Sequence, residues 1–354
     1  MERTNLSMRI ARAPVGLPAR ADFALVEEQI PQPAEGEVLF RAIYMSLDPS
    51  MRRKLPAPDG VPGPLGGTRQ VGELMIAGLP PPARGYTGGF VGQVVESRHP
   101  GFAQGDLVQG GCWWQTYQVL PGDSLEQLPP GTKASEAIGL LGQHGFVAWC
   151  GMRNIGKAKP GETVLVSAAG GAIGMIAGQL AKADGARVIG IASGEKVAYV
   201  VDELGFDACI DRKNENVAVG LDRLCPDGID VYFDNVGGDV MLAAYERMAD
   251  FGRIVVCGMA SEYNAPEQPF GASLRPVLRK RLRIEGFVVY DHYEAQFAQF
   301  RAEMQALIDA GRMKYRIEVI DGFAEAPAAL ARLLDGRNKG KVVVQLSPDR
   351  TGLT

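Results

Sequence analysis

One segment limits the possible folds more than any other: Val164-Leu-Val-Ser-Ala-Ala-Gly-Gly-Ala-Ile-Gly, followed by Met175 to Lys182. It predicts a buried strand, a glycine turn and a helix in immediate succession. Such a turn lets a pyrophosphate approach the backbone, and the helix N-terminus supplies N–H donors. A turn that serves packing alone is the alternative. We predict a dinucleotide site at Ala169, Gly171, Ala172, Ile173 and Gly174, with alanine in the first place of the G-x-G-x-x-G fingerprint.

The end of the next predicted strand indicates which dinucleotide is bound. An acid for the ribose 2′-hydroxyl is expected near Ala192, which is neutral. A hydroxyl and two cations are close by in sequence instead: Ser193, Lys196 and Arg212. They predict NADP rather than NAD, although Lys196 taken alone could be a solvated lysine at a helix start. Glu195 is the alternative acid if the strand runs on to that residue.

The pattern of apolar residues predicts an α/β protein with two domains. Short alternating strands between Pro and Gly clusters indicate a β-rich substrate domain over residues 1–133. From Ala134, helical stretches alternate with apolar runs, which predicts a doubly wound parallel Rossmann sheet over residues 134–314. Residues 315–354 hold two strand-like runs around a helix and are expected to return to the first domain. The Rossmann runs begin at Thr163, Arg187, Ala208, Val231, Arg253 and Arg283, the last continuing to Val289.

Charge and hydropathy exclude some partners. Lys and Arg total 37 against 41 for Asp and Glu, so no global positive field predicts a nucleic acid or an anionic membrane as partner. No stretch approaches the ~18 uncharged apolar residues of a membrane span. Residues 1–20 interrupt every short apolar run with charges. We therefore expect a cytoplasmic protein.

Cysteine and histidine usage predicts no metal site. The five cysteines and three histidines show no metal-ligand spacing and no C-x-x-C pair. Carbonyl-reducing dehydrogenases of this size commonly use zinc held by such residues. The sequence therefore predicts reduced thiols and a zinc-free enzyme.

Six segments, in order, resemble one family. They are Tyr44-Met-Ser-Leu-Asp-Pro-Ser-Met-Arg, the Ala168–Gly174 turn, Val200-Val-Asp-Glu-Leu-Gly-Phe-Asp, Phe233-Asp-Asn-Val-Gly-Gly, Cys257-Gly-Met-Ala-Ser-Glu-Tyr-Asn and Gly336-Arg-Asn-Lys-Gly-Lys. The chain is identified over nearly its whole length as a member of the zinc-free medium-chain dehydrogenases/reductases. Its branch resembles the prostaglandin and leukotriene reductases, plant double-bond reductases and bacterial curcumin-type reductases. The resemblance implies a GroES-like β-rich domain and NADPH-dependent reduction of the carbon–carbon double bond of α,β-unsaturated ketones or aldehydes.

The same resemblance implies further cofactor contacts. It places a loop beginning at Cys257 beside the nicotinamide, with a backing strand behind it. Arg212 stands where many members have a tyrosine near the 2′-phosphate, and an arginine can form charge-assisted bonds there. The implied contacts are Asn235, Cys257, Gly258, Met259, Phe287, Val288, Val289 and Asn338.

Tyr263 is the catalytic residue that the resemblance implies. With the ribose 2′-hydroxyl it would polarise the substrate carbonyl or relay a proton. The alternative is a loop tyrosine that only packs on the cofactor. Some relatives carry a second tyrosine where this chain has Arg279, so no role is transferred there.

Four residues are candidates for lining the substrate pocket, with ordinary core packing as the alternative: Tyr44, Met45, Tyr86 and Tyr290. Beside the first of them, we expect Asp48 and Arg52 to form an ion pair that fixes their loop.

Two rival functions stay open: a quinone reductase on the same scaffold, and a non-catalytic NADPH-binding protein. The resemblance also implies a homodimer formed through the strand at Ile284 to Val289.

Overall fold

The structure is a computed structural model that describes residues 4–57, 69–77, 88–264 and 271–351. It divides into two compact units: the first unit holds Met1–Gln143 and Ile317–Thr354, and the second unit holds His144–Arg316. The break therefore follows Gln143, whereas we expected it before Ala134. The reason is helix α1 (Ala134–Ile138), which packs in the same apolar cluster as Ile43 and Val91 of the first unit.

The N-terminal part of the first unit is built of short strands, as its alternating pattern indicates. The longest of them is buried at most positions and pairs with three other strands. The strands are β1 (Thr4–Ile10), β2 (Phe23–Gln29), β3 (Glu37–Ser46), β4 (Ile76–Ala77), β5 (Phe90–Ser97), β6 (Leu107–Gly110), β7 (Cys112–Trp113), β8 (Tyr117–Pro121) and β9 (Glu126–Gln127). Short 3-10 helices span Arg20–Asp22, Pro49–Lys54 and Gly122–Ser124.

The second unit contains a six-stranded parallel sheet. Its strands are β10 (Thr163–Ser167), β11 (Arg187–Ala192), β12 (Ala208–Asp211), β13 (Ile229–Asp234), β14 (Met248–Val256) and β15 (Arg283–Gly286). The spatial order β12-β11-β10-β13-β14-β15 is that of a doubly wound dinucleotide-binding sheet, so the predicted fold class is confirmed.

The α-helices that follow α1 are α2 (Gln143–Cys150), α3 (Gly174–Ala183), α4 (Lys196–Ala198), α5 (Val217–Leu224), α6 (Gly238–Tyr245), α7 (Arg275–Lys280) and α8 (Tyr293–Asp309). π-Helical turns at Gly151–Gly156 and Tyr199–Glu203 extend α2 and α4, and a 3-10 turn at Val289–His292 precedes α8. Within the described residues, no helix is long and apolar enough to cross a membrane.

The last predicted Rossmann strand is shorter than we expected. It ends at Gly286 because its partner β14 ends at Val256, the residue that pairs with Gly286. Phe287 and Val288 follow the strand, and Val289 begins the 3-10 turn. The prediction of a strand over Phe287–Val289 is wrong.

The C-terminal segment completes the first unit. It forms β16 (Ile317–Asp321), a 3-10 turn (Phe323–Glu325), α9 (Ala326–Leu334) and β17 (Lys341–Gln345). β16 pairs in parallel with β17, and β17 pairs antiparallel with β3. Both belong to a seven-stranded sheet in the order β16-β17-β3-β5-β6-β9, with β8 also paired to β3.

A buried lysine fixes the loop after β3. The side chain of Lys341 is 1% exposed, and its ammonium donates to Ser46 Oγ, to the Leu47 carbonyl at 2.9 Å and to Asp48 Oδ1 at 2.9 Å. Three acceptors match the three N–H bonds of a charged lysine. Burial lowers the pKa of Lys341, and Asp48 opposes that shift. Asp48 thus forms an ion pair with Lys341, a partner that we did not predict, and the expected pair with Arg52 stays a prediction.

Candidate functional site

The turn between β10 and α3 has the geometry that its sequence predicts. Ala168 adopts a left-handed conformation with φ of 49°, which reverses the chain at the end of the strand. The Ala169 N–H then bonds the Ile191 carbonyl at 3.0 Å, and the Gly171 N–H bonds the Ala168 carbonyl at 2.8 Å. The turn is therefore held against the end of β11, with the N-terminus of α3 directly after it.

Two glycines make this turn possible. A Cβ on Gly174 would lie 2.4 Å from the Ala168 carbonyl oxygen, so helix and strand approach too closely for any side chain. A Cβ on Gly190 in β11 would lie 2.9 Å from the Ala169 Cβ. Gly190 thus makes room for the alanine in the first place of the fingerprint, a compensation that the sequence analysis missed.

The first N–H groups of an α-helix have no acceptor within the helix, and the helix dipole places partial positive charge there. The turn and the start of α3 therefore fit a pyrophosphate group. Gly171, Ala172, Ile173 and Gly174 are the residues that would hold it.

The last residue of β11 is neutral, as the sequence shows. The strand ends at Ala192, near which an acid was expected for NAD, and exposed Glu195 lies beyond it at the start of α4. Ser193 is buried, and the Arg212 N–H bonds the Ala192 carbonyl at 3.1 Å. The Ser193 hydroxyl therefore follows the end of β11 directly, and the backbone of Arg212, which follows β12, lies beside it.

Asp211, a nearby acid that we did not predict, accepts hydrogen bonds from neighbouring loop residues. Its carboxylate accepts bonds from Asn214 Nδ2 at 2.8 Å, Lys213 N at 3.1 Å and Gly194 N at 3.3 Å. Desolvation raises the pKa of Asp211, but these hydrogen bonds outweigh it and hold the pKa below its usual value. Asp211 therefore shapes the loop after β11 as an acceptor.

Lys196 lies along the glycine turn. A Cβ on Gly170 would lie 3.1 to 3.3 Å from the Cβ, Cγ and Cδ atoms of Lys196. The aliphatic part of this lysine is thus packed on the turn, which brings the side chain to the predicted site, and the solvated alternative for its ammonium stays open. Gly170 was not among the predicted site residues, because only the fold shows which side chain covers it.

The end of β13 is joined to the end of β10. The Asn235 side chain donates to the Ser167 carbonyl at 2.8 Å, and the Asn235 N–H donates to Ser167 Oγ at 2.8 Å. Asp234, which the sequence analysis did not single out, is fully buried beside them. Asn235 is thereby fixed next to the residue that precedes the turn.

The loop that begins at Cys257 is tied to the same place. The N–H groups of Cys257 and Gly258 donate to the Asp234 carbonyl at 2.9 and 3.0 Å, and the Ala260 N–H donates to the Asn235 carbonyl at 3.3 Å. Burial, with the charge of Asp234 adding to it, raises the pKa of the Cys257 thiol. A neutral thiol is a poor nucleophile, so Cys257 is suited to packing.

Tyr263 folds back onto this loop. Its hydroxyl accepts a hydrogen bond from the Met259 N–H at 3.3 Å and lies against Gly258. Burial, followed by the charge of Asp234, raises the pKa of neighbouring Glu262. The phenol is therefore held by the loop that carries it, with its oxygen as the acceptor.

The remaining predicted residues have varied surroundings. Val289 is buried, Val288 is exposed, and Tyr290 is 37% exposed on the turn before α8. In the first unit, Asn338 is buried and its amide donates to the Gly340 carbonyl at 2.7 Å. Tyr86 lies outside the described residues.

Tyr44 and Met45 are core residues of the first unit. Tyr44 is 2% exposed in the cluster that contains α1, and Met45 is fully buried in the main cluster of that unit. Burial, with a contribution from Asp349, raises the pKa of Tyr44. The structure thus gives both residues a packing role, which we had weighed against a place in the substrate pocket.

The arrangement of His, Cys, Asp and Glu side chains bears on metal binding. Among residues 4–57, 69–77, 88–264 and 271–351, no three His, Cys, Asp or Glu side chains form a group that could hold a metal ion.

Gly174→Ala tests the close approach in the turn. We expect the free energy of unfolding to fall by about 1–3 kcal/mol, because the new methyl group must displace the backbone at Ala168. Urea denaturation would measure it, with Gly271→Ala as the control, since a Cβ there meets nothing within 4 Å. Equal stability of the two variants would contradict the proposed constraint.

Comparison with known proteins agrees with this fold. A family model described as "Zinc-binding dehydrogenase" matches residues 172–309, and one described as "N-terminal domain of oxidoreductase" matches residues 7–128. The chain is 38% identical to the NADPH-dependent curcumin reductase of Escherichia coli (strain K12), over 96% of each chain. It is 35% identical to the NADP(+)-dependent 2-alkenal reductase of Nicotiana tabacum, over 98% of each chain.

Among solved structures, CurA in complex with NADPH from Vibrio vulnificus superposes with a TM-score of 0.86 at 37% identity. That match covers 97% of this chain and 99% of the other. Identity at this level over nearly the whole length shows common descent and a common fold. The protein belongs to the medium-chain dehydrogenase/reductase family.

Proposed function

We propose that the protein is an NADPH-dependent reductase that transfers a hydride to the β-carbon of an α,β-unsaturated ketone or aldehyde. The observation that carries the proposal is the glycine turn before α3 with Lys196 packed along it and no acid at the end of β11. The similarity to a curcumin reductase and a 2-alkenal reductase supports the choice of substrate class.

The second unit would hold NADPH. The turn over Gly171–Gly174 would bind the pyrophosphate, while Ser193, Lys196 and Arg212 would bind the 2′-phosphate. Asn235 and the loop from Cys257 to Tyr263 would contact the nicotinamide half. An acid at the end of β11 would repel a 2′-phosphate, and Ala192 stands there instead.

Reduction of an enone places negative charge on the carbonyl oxygen and requires a proton at the α-carbon. When bound, NADPH supplies the hydride. We assign Tyr263 to the stabilisation of that oxygen or to the proton relay, because a phenol donates well to a developing oxyanion. No metal is part of this proposal, and hydrogen-bond donors take the place of a Lewis acid.

The first unit would supply the substrate-binding domain, and Tyr290 stays a candidate for contact with the substrate. The edge strand β15 is exposed at all four residues and would form the homodimer contact. All five cysteines are free thiols, which suits the reducing cytoplasm.

Turnover is the direct test of this function. Mixing the protein with NADPH and a panel of enals, enones and quinones should give cofactor oxidation with enals or enones, followed as loss of absorbance, and product with a saturated carbon–carbon bond. Quinone turnover alone would identify a quinone reductase. Tight NADPH binding without any turnover would identify a non-catalytic binding protein, and either result would overturn the proposal.

Lys196→Gln tests the 2′-phosphate site. Loss of a charge-assisted hydrogen bond should raise the Kd for NADPH about tenfold. The Kd for NADH, which lacks that phosphate, should not change. Lys182→Gln is the control, because Lys182 pairs with Asp207 on the same unit. An equal change for both dinucleotides would refute the assignment of Lys196.

Tyr263→Phe separates catalysis from packing. The ring stays, so the Kd for NADPH should remain nearly constant, while loss of the hydroxyl should lower kcat by about 10²-fold. Tyr245→Phe is a matched control, since that buried hydroxyl bonds the Ser273 carbonyl at 2.7 Å. Equal losses in kcat and affinity would support the packing role for Tyr263.

A further inference from the structure

Asp234 ends β13 and gathers hydrogen-bond donors around one fully buried carboxylate. Its Oδ1 accepts from the Tyr232 hydroxyl at 2.7 Å and from Ser167 Oγ at 3.0 Å. The same oxygen accepts from the N–H groups of Val236 at 2.9 Å and Gly237 at 3.0 Å, and Oδ2 also faces Gly237 N at 3.2 Å. Every one of these partners is a donor, which suits an ionised carboxylate because it can only accept.

This one residue joins three segments that the proposed function uses. Through Ser167 the carboxylate reaches the end of β10, immediately before the turn. Through the N–H groups of Val236 and Gly237 it fixes the backbone that directly follows Asn235. Through its own carbonyl it holds Cys257 and Gly258, which begin the loop of Tyr263.

An amide in the same place would be a poor substitute. Asparagine has one acceptor oxygen, and its NH₂ group would face the Gly237 N–H, donor against donor. It would also remove the charge that strengthens each bond. Buried groups left without a partner shift until they find one, so the loop would move.

The phosphate end of the site is held by other bonds. The turn is anchored by the Ala169 N–H to the Ile191 carbonyl and by the close packing of Gly174 on Ala168. Lys196 packs on Gly170. None of these contacts is made by Asp234, whose bond to β10 is with Ser167, the residue before the turn. The turn therefore has supports of its own.

We propose that Asp234 is a positioning residue for hydride transfer, which sets the place of Asn235 and of the Cys257–Tyr263 loop without touching the reactants. This inference rests on the proposed function, because it takes the nicotinamide to lie beside that loop. Asp234 would thus position the residues that contact the nicotinamide half of the dinucleotide, while the glycine turn binds its phosphate half.

Asp234→Asn tests this division with two ligands. NADPH carries the nicotinamide, and 2′-phospho-ADP-ribose lacks it. We expect the Kd for 2′-phospho-ADP-ribose to stay within about twofold, while the Kd for NADPH rises about threefold to tenfold. The kcat with an enone substrate should fall by about 10- to 100-fold, because small displacements of a reacting group slow its chemistry strongly.

Two further variants keep the test decisive if Asp234→Asn folds poorly. Ser167→Ala removes one donor to the carboxylate and the acceptor of the Asn235 N–H, and it should shift the same ratio of Kd values in the same direction. Asp222→Asn is the matched control, since Asp222 pairs with Arg247 on the surface of the same unit. Its ligand ratio and kcat should equal those of the wild type.

A lower melting temperature with an unchanged ratio of the two Kd values would overturn the proposal and leave Asp234 a structural residue. Equal weakening of both ligands would also overturn it, because the phosphate half would then depend on Asp234. Neither result touches the proposed function, which fails instead if the wild-type protein binds NADPH without reducing any enone.

Discussion

The close approach of Gly174 to the Ala168 carbonyl oxygen sets the arrangement of the second unit. It places the start of α3 directly against the end of β10, near the middle of the sheet. Because β11 and β13 run parallel to β10 on either side, their carboxyl ends reach the same edge. The residues after all three strands are therefore brought together around one helix N-terminus, which is where doubly wound sheets bind their ligands.

Two buried charged residues, one in each unit, join segments that are far apart in the sequence. Asp234 connects the loop after β13 with the end of β10 and with Cys257. Lys341 connects β17 with the loop after β3 through Ser46 and Asp48. A buried charge is tolerated only with a full set of partners, so each residue specifies one arrangement of its loops. The lysine shapes the first unit, and the aspartate shapes the site.

Much of the second unit could be predicted from local sequence, because its buried strands are continuous apolar runs. β10 begins at Thr163, as predicted, and β11 ends at Ala192, the residue near which the acid for NAD was expected. The strand predicted over Phe287–Val289 failed because its length is set by the partner strand, which ends at Val256. The length of such a strand depends on its pairing partner and cannot be predicted from the residues of the segment alone.

The site was predicted less completely than the fold. Glycines and cations in a fingerprint can be read locally, but Gly170 and Gly190 matter only through side chains that fold back onto them. Asp234 was not predicted, because an acid at the end of a strand is common. Only the fold shows that donors from several segments bond to its carboxylate. Tyr44 and Met45 show the converse, since apolar residues in a family motif do not reveal whether they line a pocket or a core.

The two units differ in how their chain is laid out, and this has a consequence for synthesis on the ribosome. The second unit is one uninterrupted segment, His144–Arg316, so its strands leave the ribosome in succession with no part of the first unit between them. The first unit needs β17, whose Lys341 meets Ser46 across 295 residues of chain. Because long-range pairing must wait for both partners, the nascent chain completes its second unit first. The unit that begins first along the chain is therefore the last to close, because β3 has no β17 to pair with until the whole second unit has been made.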